Sequence, residues 1–317
     1  MNKHMIALLC IVIAGAFYPL LFPGYLSIAI TLLLFVGWAT AWDILGGWAG
    51  QVSLGHASFV GLGGYFVAVG ATHHGLDPWW TIAMGMASAA ALAFAWGKLT
   101  FKLTGPYFTL STIAIAEIIR LISINEGWLT GGATGVFIFS LPEPFGVDLF
   151  ARETNFYLAL AFAALCIFTV ISISRSKFGY QLRAVREDES SAMASGINPA
   201  TIKLKAFMIS AGLTALGGGI YAIFLSFLEP HFIFFLLLSV QIALTAIIGG
   251  RGTIWGPAAG AVLIIGSGEV FRTTFAEANM LIYGLLIMLV VIFMPRGIIG
   301  EPVRYLIRRT YAKRAQS

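Results

Sequence analysis

The chain has 317 residues, of which 59% are hydrophobic and only 10% are charged, and its mean hydropathy is +0.89. A soluble domain of this size needs far more polar surface to cover its core, so the composition excludes a water-soluble protein. The net charge of +5 does not indicate a nucleic-acid-binding protein, because the basic residues lie at the ends of apolar runs, where membrane proteins carry them.

The apolar runs predict an all-α, polytopic membrane protein. They are about 17–22 residues long, which suits bilayer-crossing helices rather than the shorter alternating strands of a barrel. We predict about ten spans in a single domain, residues 1–317. The spans are expected at 5–22, 25–42, 45–71, 79–97, 105–122, 155–174, 206–227, 232–248, 254–270 and 280–294.

The first run, 5–22, has two interpretations. Small residues at 14–16 resemble the cleavage site of a signal peptide. The apolar character continues beyond them, so we expect an uncleaved first span.

The stretch 45–71 is the most glycine-rich part of the chain, and Gln51, Ser53 and His56 add polar groups near its start. One interpretation is tight helix packing with the polar groups bonded to the backbone; the other is a kinked segment that lines a polar path. The glycines around Arg251 echo this pattern weakly and suggest two similar halves.

The span 105–122 carries Thr109 and Ser111 near its start and Glu117 and Arg120 near its end. Residues three apart share a helix face, and a charge at mid-bilayer costs about 2.5–3.5 kcal/mol on insertion scales. We expect a self-contained intramembrane ion pair; the alternative is a pair that faces a water-filled cavity.

The loops predict the orientation. The loop 124–154 is acidic, whereas the loop 175–205 and the tail 296–317 are basic. With both termini cytoplasmic, every Lys and Arg except Arg120, Arg152 and Arg272 lies on the cytoplasmic side, as the positive-inside rule requires.

The loop 175–205 is the longest strongly polar stretch. Residues 181–194 are good helix formers, Gly196 is placed to end that helix, and Asn198 is placed to cap the next one. The loop is either a solvated connector or a surface helix that receives a push from a separate ATPase.

The sequence contains no phosphate-binding loop, no HExxH and no GxSxG motif. Cys10 and Cys166 lie in apolar runs and are expected to be buried hydrophobes. We therefore expect no enzyme activity, no metal and no cofactor in this chain.

Five stretches, in order, resemble permeases of Liv-type branched-chain amino acid ABC importers. They are GWAGQVSLGHASFVGLGGY at 47–65, GPYFTLSTIAIAEIIRL at 105–121, TGGATG at 130–135, SKFGYQLRAVREDESSAMASGI at 176–197 and YGLLIMLVVIFMPRGIIG at 283–300. Together they cover nearly the whole chain, which is most similar to the M-type subunit of that family.

The resemblance implies a fold like that of the ten-helix permeases of vitamin-B12-type importers, in a bacterial inner membrane. It implies an H-type permease partner, two cytoplasmic ATP-binding subunits that hydrolyse ATP, and a periplasmic binding protein that delivers branched-chain amino acids. No nucleic acid is expected, and lipid surrounds the spans.

The resemblance also assigns residues. The coupling residues that dock on the ATPase would be Arg183, Ala184, Arg186, Glu187, Ala192 and Gly196. The loop that faces the binding protein would contain Thr130, Gly131, Gly132 and Gly135, although Ala133-Thr134 departs from the family pattern. The candidates for the polar lining of the translocation path are Gln51, Ser53, His56, Thr109 and Ser111.

Three other functions remain compatible with the residues. Permeases for urea, short amides or nucleosides belong to the same superfamily. An ion-coupled transporter that works alone could use Glu117 and Arg120 as a charge relay. A scaffold protein is disfavoured, because it has no use for intramembrane polar groups.

Overall fold

A computed structural model describes residues 3–101, 106–139, 141–142, 146–268, 284, 288 and 297–299. The predicted span 280–294 and the tail 296–317 lie, apart from the few positions just given, outside the described residues. Arg272 lies outside them as well.

The described chain is built of helices and one small ribbon. The helices are α1 Lys3–Ala16, α2 Tyr18–Leu21, α3 Leu26–Asp43, α4 His56–His74, α5 Pro78–Thr100, α6 Pro106–Asn125, α7 Gly127–Thr130, α8 Arg152–Arg175, α9 Lys177–Glu187, α10 Glu189–Ala194, α11 Pro199–Leu225, α12 Pro230–Ile233, α13 Leu236–Gly250 and α14 Gly256–Ala261. Strand β1, Val136–Phe137, pairs antiparallel with β2, Phe227–Leu228.

Seven helical stretches in the described part of the chain are long and apolar enough to cross a membrane. They are Lys3–Leu21, Pro23–Trp48, Pro78–Thr100, Pro106–Asn125, Arg152–Arg175, Pro199–Leu225 and Pro230–Gly250. The chain is therefore a helical, multi-pass membrane protein. The third predicted span corresponds to α4, which has 19 residues, as many as the shortest of the seven. It carries four glycines and three histidines, and it is not among the seven.

Helix α11 lies at the centre, packed against α3, α4, α5 and α8, while α1 lies at the edge against α8. The crossing of α4 and α11 is close because both helices present glycine. A Cβ on Gly63 would overlap the carbonyl group of Ala215, and a Cβ on Gly218 would overlap that of Val60. The close contact predicted for the Gly217–Gly219 run is confirmed.

The chain leaves the helical path between α3 and α4. Residues 44–48 form a wide helical turn, and residues 49–55 are not helical. The freed backbone groups are bonded inside the protein: the Trp42 indole donates to the Ser53 carbonyl oxygen at 2.7 Å, and Thr112 accepts from the Leu54 N–H at 3.0 Å. Non-helical backbone at membrane depth requires such pairing. The segment is thus both broken and tightly packed, and its lining of a polar path stays a prediction.

The predicted helix at 181–194 is wrong in its bounds, because two helices, α9 and α10, occupy 177–194 with a break at Asp188. Asp188 is extended, and its carboxylate accepts from the Ser191 N–H at 2.6 Å, which starts a new helix. The predicted end and restart are confirmed: Gly196 has a φ of +79°, and Asn198 caps α11 by accepting from the Thr201 N–H at 3.2 Å.

Candidate functional site

Asp43, the last residue of α3, is a buried carboxylate with a partner far along the chain. Its side chain accepts from the backbone N–H of Gly252, with both oxygens 2.9 Å from the nitrogen. The residue is only 1% exposed. This bond joins the end of α3, where the broken segment begins, to the turn between α13 and α14. The broken segment and this turn belong to the two glycine-rich stretches that echo each other in the sequence.

Arg186 of α9 reaches the same place. Its Nη1 donates to the Gly47 carbonyl oxygen at 2.9 Å. A Cβ on Gly252 would lie 2.5 Å from that Nη1, and a Cβ on Gly50 would lie 2.8 Å from Arg186 Cγ. We call Asp43, Gly47, Gly50, Arg186 and Gly252 the glycine junction, because its small residues let the arginine lie against both turns.

Arg183, one turn before Arg186, also lies against the membrane-spanning part. Its guanidinium stacks on Tyr180, with 4.8 Å to the ring centroid, and on Trp48, with 5.6 Å. Its Nη2 donates to the Ser174 carbonyl oxygen at 3.1 Å. Both arginines predicted to couple to an ATPase thus hold α9 to the helix bundle.

An exposed acidic run lies where α9 ends and α10 begins. Glu187, Asp188 and Glu189 are exposed, and so is Met193, at 56%. Hydrogen bonds from the hydroxyl and then the backbone N–H of Ser191 hold the pKa of Asp188 below its ordinary value, so it stays charged.

The remaining predicted coupling residues differ in exposure. Ala192 is buried, Ala184 is half-buried, and Gly196 is exposed. Lys203 of α11 is also buried, and its ammonium group pairs with Glu189, which fastens α10 to α11.

The residues predicted to line a path use their polar groups inside the chain. His56 is fully buried, with Nδ1 3.2 Å from the Ser53 hydroxyl and Nε2 2.8 Å from that of Ser210 on α11. Thr109 donates to the Val52 carbonyl oxygen at 2.8 Å.

The last two candidates for the path are less enclosed. Ser111 donates to the Phe108 carbonyl oxygen at 2.7 Å, and Gln51 is half-buried. Gln51 and Ser53 lie in the broken segment 49–55, and His56 and Thr109 bond to it, whereas Ser111 bonds within its own helix. The contact of all five with a substrate stays a prediction.

The TGGATG loop is a compact turn at the end of α6 away from α9. Thr130 donates to the Ser123 and Glu126 carbonyl oxygens, at 2.5 and 2.6 Å. Gly131, Gly132 and Gly135 all have positive φ, which a residue with a Cβ adopts with strain. Residues 133–134 at its tip are exposed.

Glu117 and Arg120 form an ion pair, as predicted, but the pair is not self-contained. Arg120 Nε donates to Glu117 Oε2 at 2.8 Å, and Nη2 donates to the other oxygen. A third residue was not predicted: His231 of α12 has its Nδ1 3.2 Å from Arg120 Nη1. The pair is thus part of a cluster between two helices.

Sequence reasoning missed Asp43, Gly252 and His231. A signal existed for Asp43, since it lies inside an apolar run and only it and Asp77 are acidic within the first 100 residues. No local signal marks Gly252 or His231, because each is defined by a contact with a residue more than 100 positions away.

Comparison with known proteins gives one consistent result. Residues 6–291 match the family described as branched-chain amino acid transport system / permease component. The chain is 28% identical over 318 residues to the high-affinity branched-chain amino acid transport system permease protein LivM of Escherichia coli (strain K12), covering 93% of this chain and 74% of the relative. The protein of the same description from Salmonella typhimurium is also 28% identical, over 319 residues and with the same coverage.

A shorter match links the chain to a tyrosine transport system permease protein of Clostridioides difficile. The two are 31% identical over 100 residues, which is 32% of each chain. No solved structure matches this chain.

Proposed function

The chain belongs to the family of branched-chain amino acid transport system permease components, and we propose that it forms one half of the membrane path of an ATP-driven importer for these amino acids. Its energy then comes from ATP-binding subunits, because the sequence has no phosphate-binding loop of its own. Family membership and two relatives with the same named function over 93% of the chain support this proposal.

The single observation that carries the mechanism is the contact of Arg186 with Gly47. It connects α9, whose exposed face is free to dock on an ATPase, to the end of α3 and, through Gly252, to α13 and α14. A displacement of α9 would therefore be passed to α3, α13 and α14 at once. This is the arrangement that a coupling helix needs.

The proposal includes the assembly. We assign the α9 end to the cytoplasm, with both termini inside, ten spans and a fold like that of vitamin-B12-type permeases. The partners are an H-type permease, two ATP-binding subunits, one of which docks on the Glu187–Met193 face, and a periplasmic binding protein that contacts the 130–135 loop. The membrane is the inner membrane of a bacterium. The basic loops on one side support this orientation.

The translocation path lies, on this proposal, between the two permeases. Gln51, Ser53, His56, Thr109 and Ser111 border it at the broken segment. The first four lie in that segment or bond to it, so movement of α9 at Gly47 can change their accessibility.

The substrates are proposed to be leucine, isoleucine and valine. The two relatives that cover the chain are named for branched-chain amino acids, whereas the tyrosine permease matches only a third of it.

The test is uptake of radiolabelled leucine into proteoliposomes that contain the complete importer and enclosed ATP. We expect uptake that needs ATP and the binding protein. In Arg186→Glu, uptake should fall at least about tenfold, because a carboxylate cannot donate to the Gly47 carbonyl group. Lys177→Glu, an exposed change of the same charge at the start of α9, is the matched control. Uptake driven by an ion gradient without the ATP-binding subunits would overturn the proposal.

A further inference from the structure

The end of α6 away from α9 borders an open cavity of about 570 Å³, which four ionisable and three apolar residues line. The ionisable groups are Glu117 and Arg120 of α6 together with Glu229 and His231 at the start of α12. The volume lies within the usual range of small-molecule sites, roughly 300–1,000 Å³. The cavity thus brings acidic, basic and apolar side chains together.

Two charges of this cavity lie within α6, a helix long and apolar enough to cross a membrane. Arg120 lies five residues before the end of α6, about 7 Å along the helix axis, and Glu117 lies about 5 Å deeper. Their side chains are 21% and 50% exposed. Charged groups in a span face a protein interior or a water-filled path. The cavity is therefore a polar compartment within the membrane part.

The Arg120 guanidinium retains donors after its contacts inside the protein. It has five N–H groups, of which Glu117 takes two and His231 lies against a third. Two N–H groups, one on each terminal nitrogen, remain available, and a guanidinium can bind a carboxylate with such a pair.

The acids of the cavity complement a cation. Glu117 is half exposed despite its bonds to Arg120. In the described part of the chain, no basic group lies within ion-pair distance of Glu229. An ammonium group next to Glu229 would balance a charge that this part of the chain leaves unpaired.

The rest of the wall is apolar. Phe232, Phe235 and Leu236 line the cavity and are exposed in this chain, at 61%, 53% and 39%. They offer a surface for an aliphatic side chain next to the charged groups.

We propose that this cavity is a transient binding site for a zwitterionic amino acid. Arg120 binds the α-carboxylate, Glu229 and Glu117 bind the α-ammonium group, and Phe232, Phe235 and Leu236 contact the side chain. The inference rests on the proposed function and adds to it a site and the residues that recognise each part of the substrate.

The test is protection of an engineered cysteine in the complete importer in nanodiscs. Phe235→Cys is placed in a Cys10→Ser background, since Cys10 is exposed and Cys166 is buried. The cysteine is labelled with a water-soluble maleimide in the presence of leucine, of leucinamide, which lacks the carboxylate, or of 4-methylpentanoate, which lacks the ammonium group. Leu236→Cys repeats the experiment if Phe235→Cys does not assemble.

We expect about 10 mM leucine to slow labelling about fivefold, as a site with a Kd of about 2.5 mM requires, and neither analogue to do so. Arg120→Gln should abolish the protection. Arg152→Gln, which removes an exposed arginine of α8, should preserve it. Equal protection by all three compounds, no protection by leucine, or a cysteine that never reacts because a partner chain covers it would each overturn the site.

Leucine uptake by the wild-type importer is measured in parallel and separates the two proposals. Uptake without protection leaves the importer standing and removes the site. Protection without ATP-driven uptake overturns the importer and leaves the site as a binding site for amino acids.

Discussion

Asp43 and Gly252 are 209 positions apart, yet both oxygens of the Asp43 carboxylate lie 2.9 Å from the Gly252 nitrogen. This contact closes the α3 end of the bundle against the turn that follows α13. Arg186 lies against both sides of it, on Gly47 and on Gly252. The position of α9 and the packing of α3, α13 and α14 are therefore linked through one small cluster.

The first prediction concerns Asp43. Asp43→Ala leaves the half-buried Gly252 N–H without its acceptor, which costs about 1–3 kcal/mol. We expect a lower thermal unfolding midpoint of the purified importer and a smaller loss in Asp43→Asn, which keeps one acceptor oxygen.

The control for Asp43 is Asp148→Ala. Asp148 also accepts from a backbone N–H, that of Phe150 at 2.8 Å, but it is exposed to water. It should change the midpoint little. Equal effects at the two aspartates would contradict the structural role of the buried bond.

The second prediction concerns Gly47. A Cβ there would overlap the Asp43 carboxylate and the Gly252 nitrogen, so Gly47→Ala must separate the two turns of the glycine junction. We expect ATP hydrolysis to continue while leucine uptake per ATP falls several-fold, because the contact between Arg186 and Gly47 no longer holds α9 in place.

Gly24→Ala is the matched control for Gly47. No atom lies within 4 Å of a Cβ at Gly24, so this substitution should leave uptake per ATP unchanged. A Gly47→Ala importer with normal coupling would show that the junction transmits no movement.

The third prediction concerns the pair of Lys203 and Glu189. Lys203 has a side chain only 5% exposed, whereas that of Glu189 is 53% exposed. Glu189→Ala leaves the buried ammonium group of Lys203 without its partner and should destabilise the importer by about 1–3 kcal/mol. This loss is smaller than that for a pair whose two side chains are both buried. Lys203→Met leaves only a solvated carboxylate and should cost less than about 1 kcal/mol.

The measurement is chemical or thermal unfolding of both variants and of the double variant. A larger loss of stability in Glu189→Ala than in Lys203→Met would support the prediction. If Lys203→Met were the more damaging change, then the ammonium group would have a function beyond this pair.

The fourth prediction concerns His56. It contacts Ser210 across the α4–α11 interface at 2.8 Å and is fully buried. His56→Ala should lower stability by about 2–4 kcal/mol through a cavity and an unpaired hydroxyl. A double-mutant cycle with Ser210→Ala should give a coupling energy of about 0.5–3 kcal/mol.

The same variant tests the translocation path. If leucine uptake per folded His56→Ala importer equals that of the wild type, then His56 belongs only to the packing. A specific loss of uptake, with the fold intact, would support its place on the path. Ser172→Ala on α8, which removes an exposed hydroxyl bonded within its own helix, is the control.

The sequence by itself determined the class of protein and the local chain path. Long apolar runs fix where helices cross a bilayer, and Gly196 and Asn198 fix where one helix ends and the next begins. These properties depend on residues within a few positions of each other. They can therefore be predicted from hydropathy and capping rules, as can the i,i+3 pair of Glu117 and Arg120.

Only the tertiary structure decided which helices meet. Arg186 bonds Gly47 across 139 positions, His56 contacts Ser210 across 154, and Arg120 contacts His231 across 111. Hydropathy records that a residue is buried but not what it is buried against. For this reason the sequence did not predict that Arg186 bonds to the turn at Gly47, or that Glu117 and Arg120 line a cavity.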